Sequence, residues 1–584
     1  MDQSYPIFTV EVECQDCYKC VRECPSKGIR VQNGHASIMP ELCATCGHCV
    51  VICPGKAKKI RDDLGRARLL LKQKSQVIAS LAPSWVTEFK NISPETMSAA
   101  IKALGFSAVS ETALGAQEVS AGLLAEFKQA QPGLYISSAC PSVVEFINKQ
   151  LPEFHDKITG VTSPLLAHSR LLRRLCGDEI GIVFFGPCVA KKLEADRNRD
   201  VLDLALTFQD LRRWLEIAEI NLAEIDSTGS DFFPYRAEEG ALYPIDGGMV
   251  ETMNSGLRDL KIETLSISGL GKLQYYLSEF DSQNLDTPVF LEALACEGGC
   301  INGPGRSRKE PGLLDRLKVR SSANVPKKIP RRKNSVEINL TVPANRPEAV
   351  RLFSQDEMEE ALAKIGKYAP EDELNCGGCG YNTCRNFARA LMTGKAEPSM
   401  CVSFMRKKAQ NKANAILRCM PSAAVIADSD LRVIECNRHF AKMFGEDSYY
   451  VFESLSNLEG AYLEKILPFA NLFRTALRTG DDIFRSNFRV GEKLFNISLF
   501  TIEPQQVVGA IIQDATAIEM HREAIASKAN EVLKKNLNTV QNIARLLGEH
   551  MADTEIVLRS IAKGFPNNNP SFIKAQKAEE KSDE

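Results

Sequence analysis

The sequence predicts a multidomain α/β chain, and three observations carry that expectation. At 584 residues it is too long for one hydrophobic core, and chain length alone suggests about four domains. Its 19 cysteines fall mostly into three sets with different spacings. Between and after those sets, short β-rich runs alternate with helical periodicity. An apolar content of 44% and a charged content of 25% describe an ordinary globular protein. The formal charge of −2 provides no global field toward nucleic acid or membrane, so neither is expected as a partner. The opening MDQSYPIFTV lacks a basic and apolar leader pattern, and no run approaches the ~18 apolar residues of a membrane span. The cysteine spacing is that of thiolate ligands rather than disulfides, which points to a reducing cytoplasm.

The first module, residues 1–62, holds Cys14, Cys17, Cys20 and Cys24-Pro25, then Cys43, Cys46, Cys49 and Cys53-Pro54. Each half is the C-x2-C-x2-C-x3-C-P run of bacterial ferredoxins, in which the fourth cysteine ligates the other cluster. Two [4Fe–4S] clusters for electron transfer are expected, one on Cys14, Cys17, Cys20 and Cys53, the other on Cys43, Cys46, Cys49 and Cys24. Zinc sites pair C-x2-C units without the third cysteine and the proline.

From residue 76 the pattern becomes layered α/β. Strand-like runs are Val77–Leu81, Leu134–Ser137, Ile180–Phe185 and Val289–Leu294; helical periodicity covers Pro94–Leu104, Ala113–Gln129 and Ser163–Leu175. Four cysteines follow strand-like runs: Cys140 in SSACPS, Cys188 in FFGPCVAKKLEA, and Cys296 and Cys300 in EALACEGGCINGPG. Loops at strand tips can bring them to one cavity. These segments resemble, in family order, the three signatures of [FeFe]-hydrogenases, and the resemblance extends over residues 76–305. It implies an H-cluster: a [4Fe–4S] cube on Cys140, Cys188, Cys296 and Cys300, with Cys300 bridging to a two-iron unit that carries CO and CN ligands. It also implies that Lys191 pairs with one cyanide, that Glu194 completes the motif, and that Ala82, Pro83 and Ser84 form the loop at the other. A relative that assembles iron–sulfur proteins shares this core without the two-iron unit.

The departures decide the expected activity. Ala139 stands where catalytic members have the cysteine that passes protons, and a methyl group cannot act as acid or base. Of two expected relay glutamates, Glu126 remains while Leu123 replaces the other; Thr159 retains a hydroxyl. Gly186 and Leu294 stand where two pocket methionines are usual. Losing one positioned acid–base group typically costs ~10²–10⁴-fold in rate.

Residues 306–345 read as a basic, solvated linker wrapping the core. In module 350–411, Ser354 and Glu357 form a capping-box spacing, and Cys376, Cys379, Cys384 and Cys401 resemble a small helical four-cysteine [4Fe–4S] domain, with zinc as the alternative metal. Residues 412–518 resemble a PAS domain of α+β type, with a turn at Asp428, Asn437 after the second strand and a terminal Asp514-x-Thr516. Cys176, Cys419 and Cys436 read as packed thiols, and His439 as a residue of a polar helix face. Ile518, Ile525, Val532, Leu537, Val540, Ile543 and Leu547 suggest a signalling helix over 519–563, forming a coiled coil or packing on the PAS domain. Residues 564–584 read as a disordered tail.

The expectation is a hydrogen sensor that binds or slowly oxidises H2 and relays redox state through the PAS domain to a kinase or phosphatase, as a homodimer. A ferredoxin-linked catalytic hydrogenase and a non-catalytic iron–sulfur scaffold are the alternatives.

Overall fold

A computed structural model describes residues 5–280, 285–307, 313–339, 353–455 and 457–563; the predicted tail lies outside them. The chain divides into two units, Met1–Arg406 and Lys407–Glu584.

In the first unit, β1 (Ile7–Thr9) pairs antiparallel with β4 (Lys58–Ile60), and β2 (Ile29–Gln32) pairs with β3 (His35–Ile38). The β2–β3 hairpin turns at Asn33-Gly34, both with positive φ, as a tight two-residue hairpin requires. Two short helices, Lys19–Arg22 and His48–Ile52, carry Cys20 and Cys49.

The α/β core holds two parallel sheets. In the first, the order is β6 (Ala108–Glu111), β5 (Val77–Leu81), β8 (Gly181–Gly186), β9 (Leu204–Thr207). In the second it is β10 (Glu263–Ser268), β11 (Pro288–Leu294), β7 (Gly133–Ile136). Strands β5 and β8 are buried along their whole length, which is why they read as continuous rather than alternating apolar runs. The four predicted strands coincide with β5, β7, β8 and β11 to within one residue at each end. The helical runs appear as Pro94–Ala103, Ala113–Glu126 and Pro164–Cys176.

The stretch expected to be a solvated linker is partly structural. It contains the helix Leu313–Ser322, and Arg306, Asp315 and Ile338 are buried. Thr162 N–H donates to Ile338 O at 2.6 Å, and a Cβ at Gly122 would lie 1.6 Å from Ile338 Cδ1. The glycine therefore makes room for the strap, a long-range fit that charge composition does not announce.

In the second unit, a five-stranded antiparallel sheet runs β13 (Val433–Cys436), β12 (Ala423–Asp428), β16 (Val507–Asp514), β15 (Lys493–Glu503), β14 (Ile483–Val490). Asn437 caps the helix Arg438–Met443 by accepting from Phe440 N, and Asp428 accepts from the N–H groups of Asp430 and Arg432. The interior is packed with Phe440, Phe469, Phe473 and Phe495. Asp514 accepts from Thr516 N, and Thr516 Oγ1 in turn accepts from Leu494 N, pinning the helix Thr516–Lys563 to the sheet. That helix buries none of its residues. From Leu533 its apolar residues recur at alternating four- and three-residue steps through Leu537, Val540, Ala544, Leu547 and Met551. Cys436 is buried and Cys176 half-buried, but Cys419 is exposed: it ends a helix, Val402–Cys419, that buries none of its residues.

Candidate iron–sulfur and hydrogen-activating site

The core cysteines all follow carboxyl ends of parallel strands. Cys140 caps the helix Pro141–Gln150 after β7, Cys188 follows β8, and Cys296 and Cys300 follow β11. The turn between the last two depends on Gly299, whose φ is +100° and whose Cβ would stand 2.4 Å from Pro244 O, so no other residue fits there.

These thiols share one buried place. Burial pushes Cys188 up to about 11; Cys140 adds to this, while Lys191 and the backbone N–H groups of Lys191 and Ala190 oppose it. Burial likewise raises Cys300, with Cys140 and Cys188 adding and Lys191 opposing. Cys296 is raised by burial, then by Cys188, Cys300, Cys140 and Cys46. Cys46 belongs to the N-terminal module, so its thiols border the core quartet.

That module's thiols sort into two groups. Burial raises Cys20 to about 11, offset by Lys58, and its thiol neighbours are Cys53, Cys14 and Cys17. Burial raises Cys46 to about 12, with Cys24 and Cys43 adding, and Cys49 feels Cys46, Cys43 and Cys24 after burial. The fourth thiol of each run thus lies with the first three of the other. Farther along, Cys376, Cys379, Cys384 and Cys401 line one cavity with Tyr381 and Phe387.

Buried thiols that raise one another cannot all ionise unless a cation sits among them, and an iron–sulfur cube supplies that cation. The donor sets fit such groups. At the core, Lys191 Nζ lies 2.7 Å from Glu194 Oε2, both nearly buried. The loop after β5 is tied to β8 by Ala82 N–H donating to Phe185 O at 2.9 Å. After Pro83, Ser84 Oγ is buried without a hydrogen-bond partner among the described residues, a free donor at the carboxyl end of the sheet. A buried hydroxyl left so is costly, and a ligand oxygen or nitrogen would relieve it.

Ala139 packs with Leu123, Phe127, Val161 and Ile338 in one apolar cluster. Thr159 Oγ1 is 3.1 Å from Ser138 Oγ. Glu126 accepts from Gly160 N at 3.3 Å, and burial raises its carboxyl above the usual range. A Cβ at Gly186 would lie 2.3 Å from Phe184 Cζ and 3.0 Å from Ala82 Cβ, so the Phe184 ring takes that space. Leu294 is buried at the end of β11.

Sequence reasoning missed Glu292. It is buried in β11, accepts from Met249 N, Val250 N and Ser266 Oγ, and burial raises it to about 7. Its signal was a lone carboxylate inside the apolar run VFLEAL. Ile338 and Phe184 gave no local signal, since what they fill lies far away in the chain or on the same strand face.

A thiol-bearing α/β core with two further thiol modules has the donor sets of an iron–sulfur protein. Comparison with known proteins narrows this. Residues 75–304 match the model for the iron-only hydrogenase large subunit, C-terminal domain. Residues 7–54 match a 4Fe-4S dicluster domain, 372–403 a putative Fe-S cluster domain, and 411–487 a PAS domain. The chain is 24% identical to iron hydrogenase 1 of Clostridium pasteurianum, over 38% of this chain and 48% of that protein. It is 24% identical to the NADP-reducing hydrogenase subunit HndD of Solidesulfovibrio fructosivorans, over 54% and 60%, and 24% identical to Protein NAR1 of Arabidopsis thaliana, over 46% and 70%. The match thus spans about half the length of the first of these relatives. A solved [FeFe]-hydrogenase, HydA(deltaEFG), aligns at 16% identity and a TM-score of 0.36, over 45% of this chain and 88% of that one. Residues 75–304 are thus similar to the iron-only hydrogenase large subunit, and residues 411–487 to a PAS domain. Among the described residues, no helix is long and apolar enough to cross a membrane.

Proposed function

We propose that the protein is a cytoplasmic hydrogen sensor, in which H2 binds or is slowly oxidised at a two-iron unit held beside Cys300 and the resulting redox state is relayed through the PAS domain. The observation that supports the reading is a division among the groups near the core thiols. The holding groups are present: the thiol quartet, the Lys191–Glu194 pair and the unpartnered Ser84 hydroxyl. On the proton side, Ala139 offers no acid–base group and packs with Leu123, Val161 and Ile338. When bound, the two-iron unit supplies the site at which H2 is split. Lys191 offers a buried cation to an anionic ligand, Ser84 offers a hydroxyl donor, and Cys140, Cys188, Cys296 and Cys300 hold the cube. Thr159 reaches Ser138, next to Ala139, and Glu126 reaches Gly160, next to Thr159, so the missing acid–base group at Ala139 is what interrupts the proton line.

Electrons from the site pass to the N-terminal clusters and to a ferredoxin-like carrier. The packed PAS interior favours a role as transmitter and contact surface, and the exposed Thr516–Lys563 helix suits pairing with a second copy and docking of a kinase or phosphatase. A second reading, an iron–sulfur scaffold without the two-iron unit, draws on one observation: the Phe184 ring closes the space at Gly186. Infrared spectra of anaerobically matured protein under argon and then hydrogen separate the two. Carbonyl and cyanide bands that shift under hydrogen support the sensor; intact cubes without such bands establish the scaffold. Where the bands are present, Ala139→Cys should raise hydrogen turnover tenfold or more.

A further inference from the structure

The four-cysteine set near residue 400 packs in one cluster with the N-terminal module. Gly380, between two of its ligands, presses on the N-terminal module: a Cβ there would lie 3.1 Å from Arg22 N and 3.2 Å from Val21 Cγ1. Asn33 N and Gly34 N donate to Glu397, and Val31 N donates to Lys395 O at 3.0 Å. Lys27 sits in this contact. Its Nζ donates to Gly380 O at 2.7 Å and to Arg22 O at 3.2 Å, and it lies 6.0 Å from the Tyr381 ring centroid. Burial lowers the Lys27 pKa, and the two groups that raise it again are Cys24 and Cys379. Tyr381 feels the same two thiols after burial. One ammonium group therefore stands between a ligand of the second N-terminal set and a ligand of the Cys376–Cys401 set.

We propose that the N-terminal module is an electron junction, with the Cys24, Cys43, Cys46 and Cys49 cube in the middle, and that Lys27 is the positioning residue of its outgoing branch. On one side that cube borders the core through Cys46 and Cys296; on the other it borders the Cys376–Cys401 cube through Cys24, Lys27 and Cys379. In the step, one electron leaves the reduced middle cube, which returns to its oxidised state, and reduces the Cys376–Cys401 cube. No bond is made and no proton moves. The Lys27 charge favours the more negative, reduced state of both cubes and holds the two modules together through Gly380 O. Cys401 is followed directly by the helix Val402–Cys419, so reduction places negative charge at that helix's N-terminus, where the helix dipole favours it. This makes the Cys376–Cys401 set the point at which a redox change reaches the chain leading to the PAS domain. The inference rests on the iron–sulfur reading of the thiol sets and not on hydrogen chemistry.

The test uses the full chain, anaerobic and cluster-loaded, reduced with dithionite and read by electron paramagnetic resonance with a potentiometric titration. The wild-type spectrum should show magnetic interaction between two reduced cubes, and the double variant Cys376→Ser/Cys384→Ser should lose one signal and narrow another. Lys27→Met should move the midpoints of both interacting cubes to more negative potential, and Lys27→Arg should restore them. If Lys27→Met does not fold, the cysteine variant decides. Removal of the Cys376–Cys401 cube without change in the remaining spectrum would overturn the junction, as would metal analysis finding zinc there. Because hydrogen is absent, such a failure leaves the infrared test of hydrogen binding intact.

Discussion

Lys192 stands next to Lys191 in the sequence but turns to the opposite side, and replacing it tests how the core is joined to the N-terminal module. Its side chain is fully buried; Nζ lies 3.1 Å from Asp63 Oδ2 and 3.0 Å from Asp210 Oδ2 and donates to Arg61 O at 2.9 Å. Burial alone would raise the Asp63 carboxyl, but Lys192 and Arg61, with hydrogen bonds from Lys192 and Arg66, hold it below its usual value. Removing one member of a buried ion pair costs about 3–5 kcal/mol, because the partner charge stays buried. Asp63 keeps Arg61 and Arg66, and Asp210 keeps Thr207 N, so Lys192→Met should fall at the low end, about 3 kcal/mol. Denaturant unfolding of the full chain, followed by circular dichroism, should show the first unit's transition move while that of the PAS unit stays fixed. The double variant Lys192→Met/Asp63→Asn should recover at least about 1 kcal/mol, a coupling expected of contacting charges. Since the folded-state pKa of Asp63 is lowered, its contribution is present above the ordinary carboxylate range and is lost as pH falls through the lowered value. A loss under about 1 kcal/mol for Lys192→Met, or strict additivity in the double variant, would refute the network's role.

Gly122→Ala should drive a methyl into Ile338 and cost about 1–3 kcal/mol, with faster limited proteolysis between residues 330 and 339; Gly122→Ala/Ile338→Ala should reverse most of that. His168, between Ser80 Oγ and Ser110 Oγ at 2.8 Å each, is pushed by burial to about 3 from 6.5. Its folded-state pKa is lowered, so stability is lost as pH falls below 6.5, by about 2 kcal/mol at pH 5. His168→Gln should remove that slope when unfolding is measured at both pH values. Leu537→Asp with Leu547→Asp should convert the protein from dimer to monomer in light scattering, while unchanged mass would remove the helix from the interface.

The parts legible in the sequence are those whose chemistry is local. Thiol ligands three residues apart are read from spacing alone, and a strand buried on both faces, such as β8, announces itself as a continuous apolar run. The Asp514-x-Thr516 turn works over two residues, and the structure places it where the spacing suggested. Illegible were contacts made by distant partners. Ile338 lies more than 200 residues from the glycine that receives it, and nothing in a basic stretch predicts a buried isoleucine. Lys27 carries no local signal, because its neighbours at Gly380 and Tyr381 come from another module. Glu292 was visible as a letter but not as a buried acid, since its backbone donors belong to the helix Gly248–Asp259.

The same distinction explains how holding the site can be separated from turning it over. Holding needs thiols and a cation at rigid strand ends, and each of them lies in a short segment with its own recognisable spacing, after β7, β8 or β11. Proton delivery needs a continuous line of polar groups drawn from several elements, and one methyl or leucine breaks it. On the proposed reading the line is interrupted at Ala139 and Leu123, which share an apolar cluster with Ile338 of the strap, so restoring a thiol alone leaves an apolar neighbour beside it. Ala139→Cys combined with Ile338→Ser should therefore exceed Ala139→Cys alone in hydrogen turnover, by more than the product of the single effects. A product no larger than multiplicative would mean that the strap does not gate the proton route.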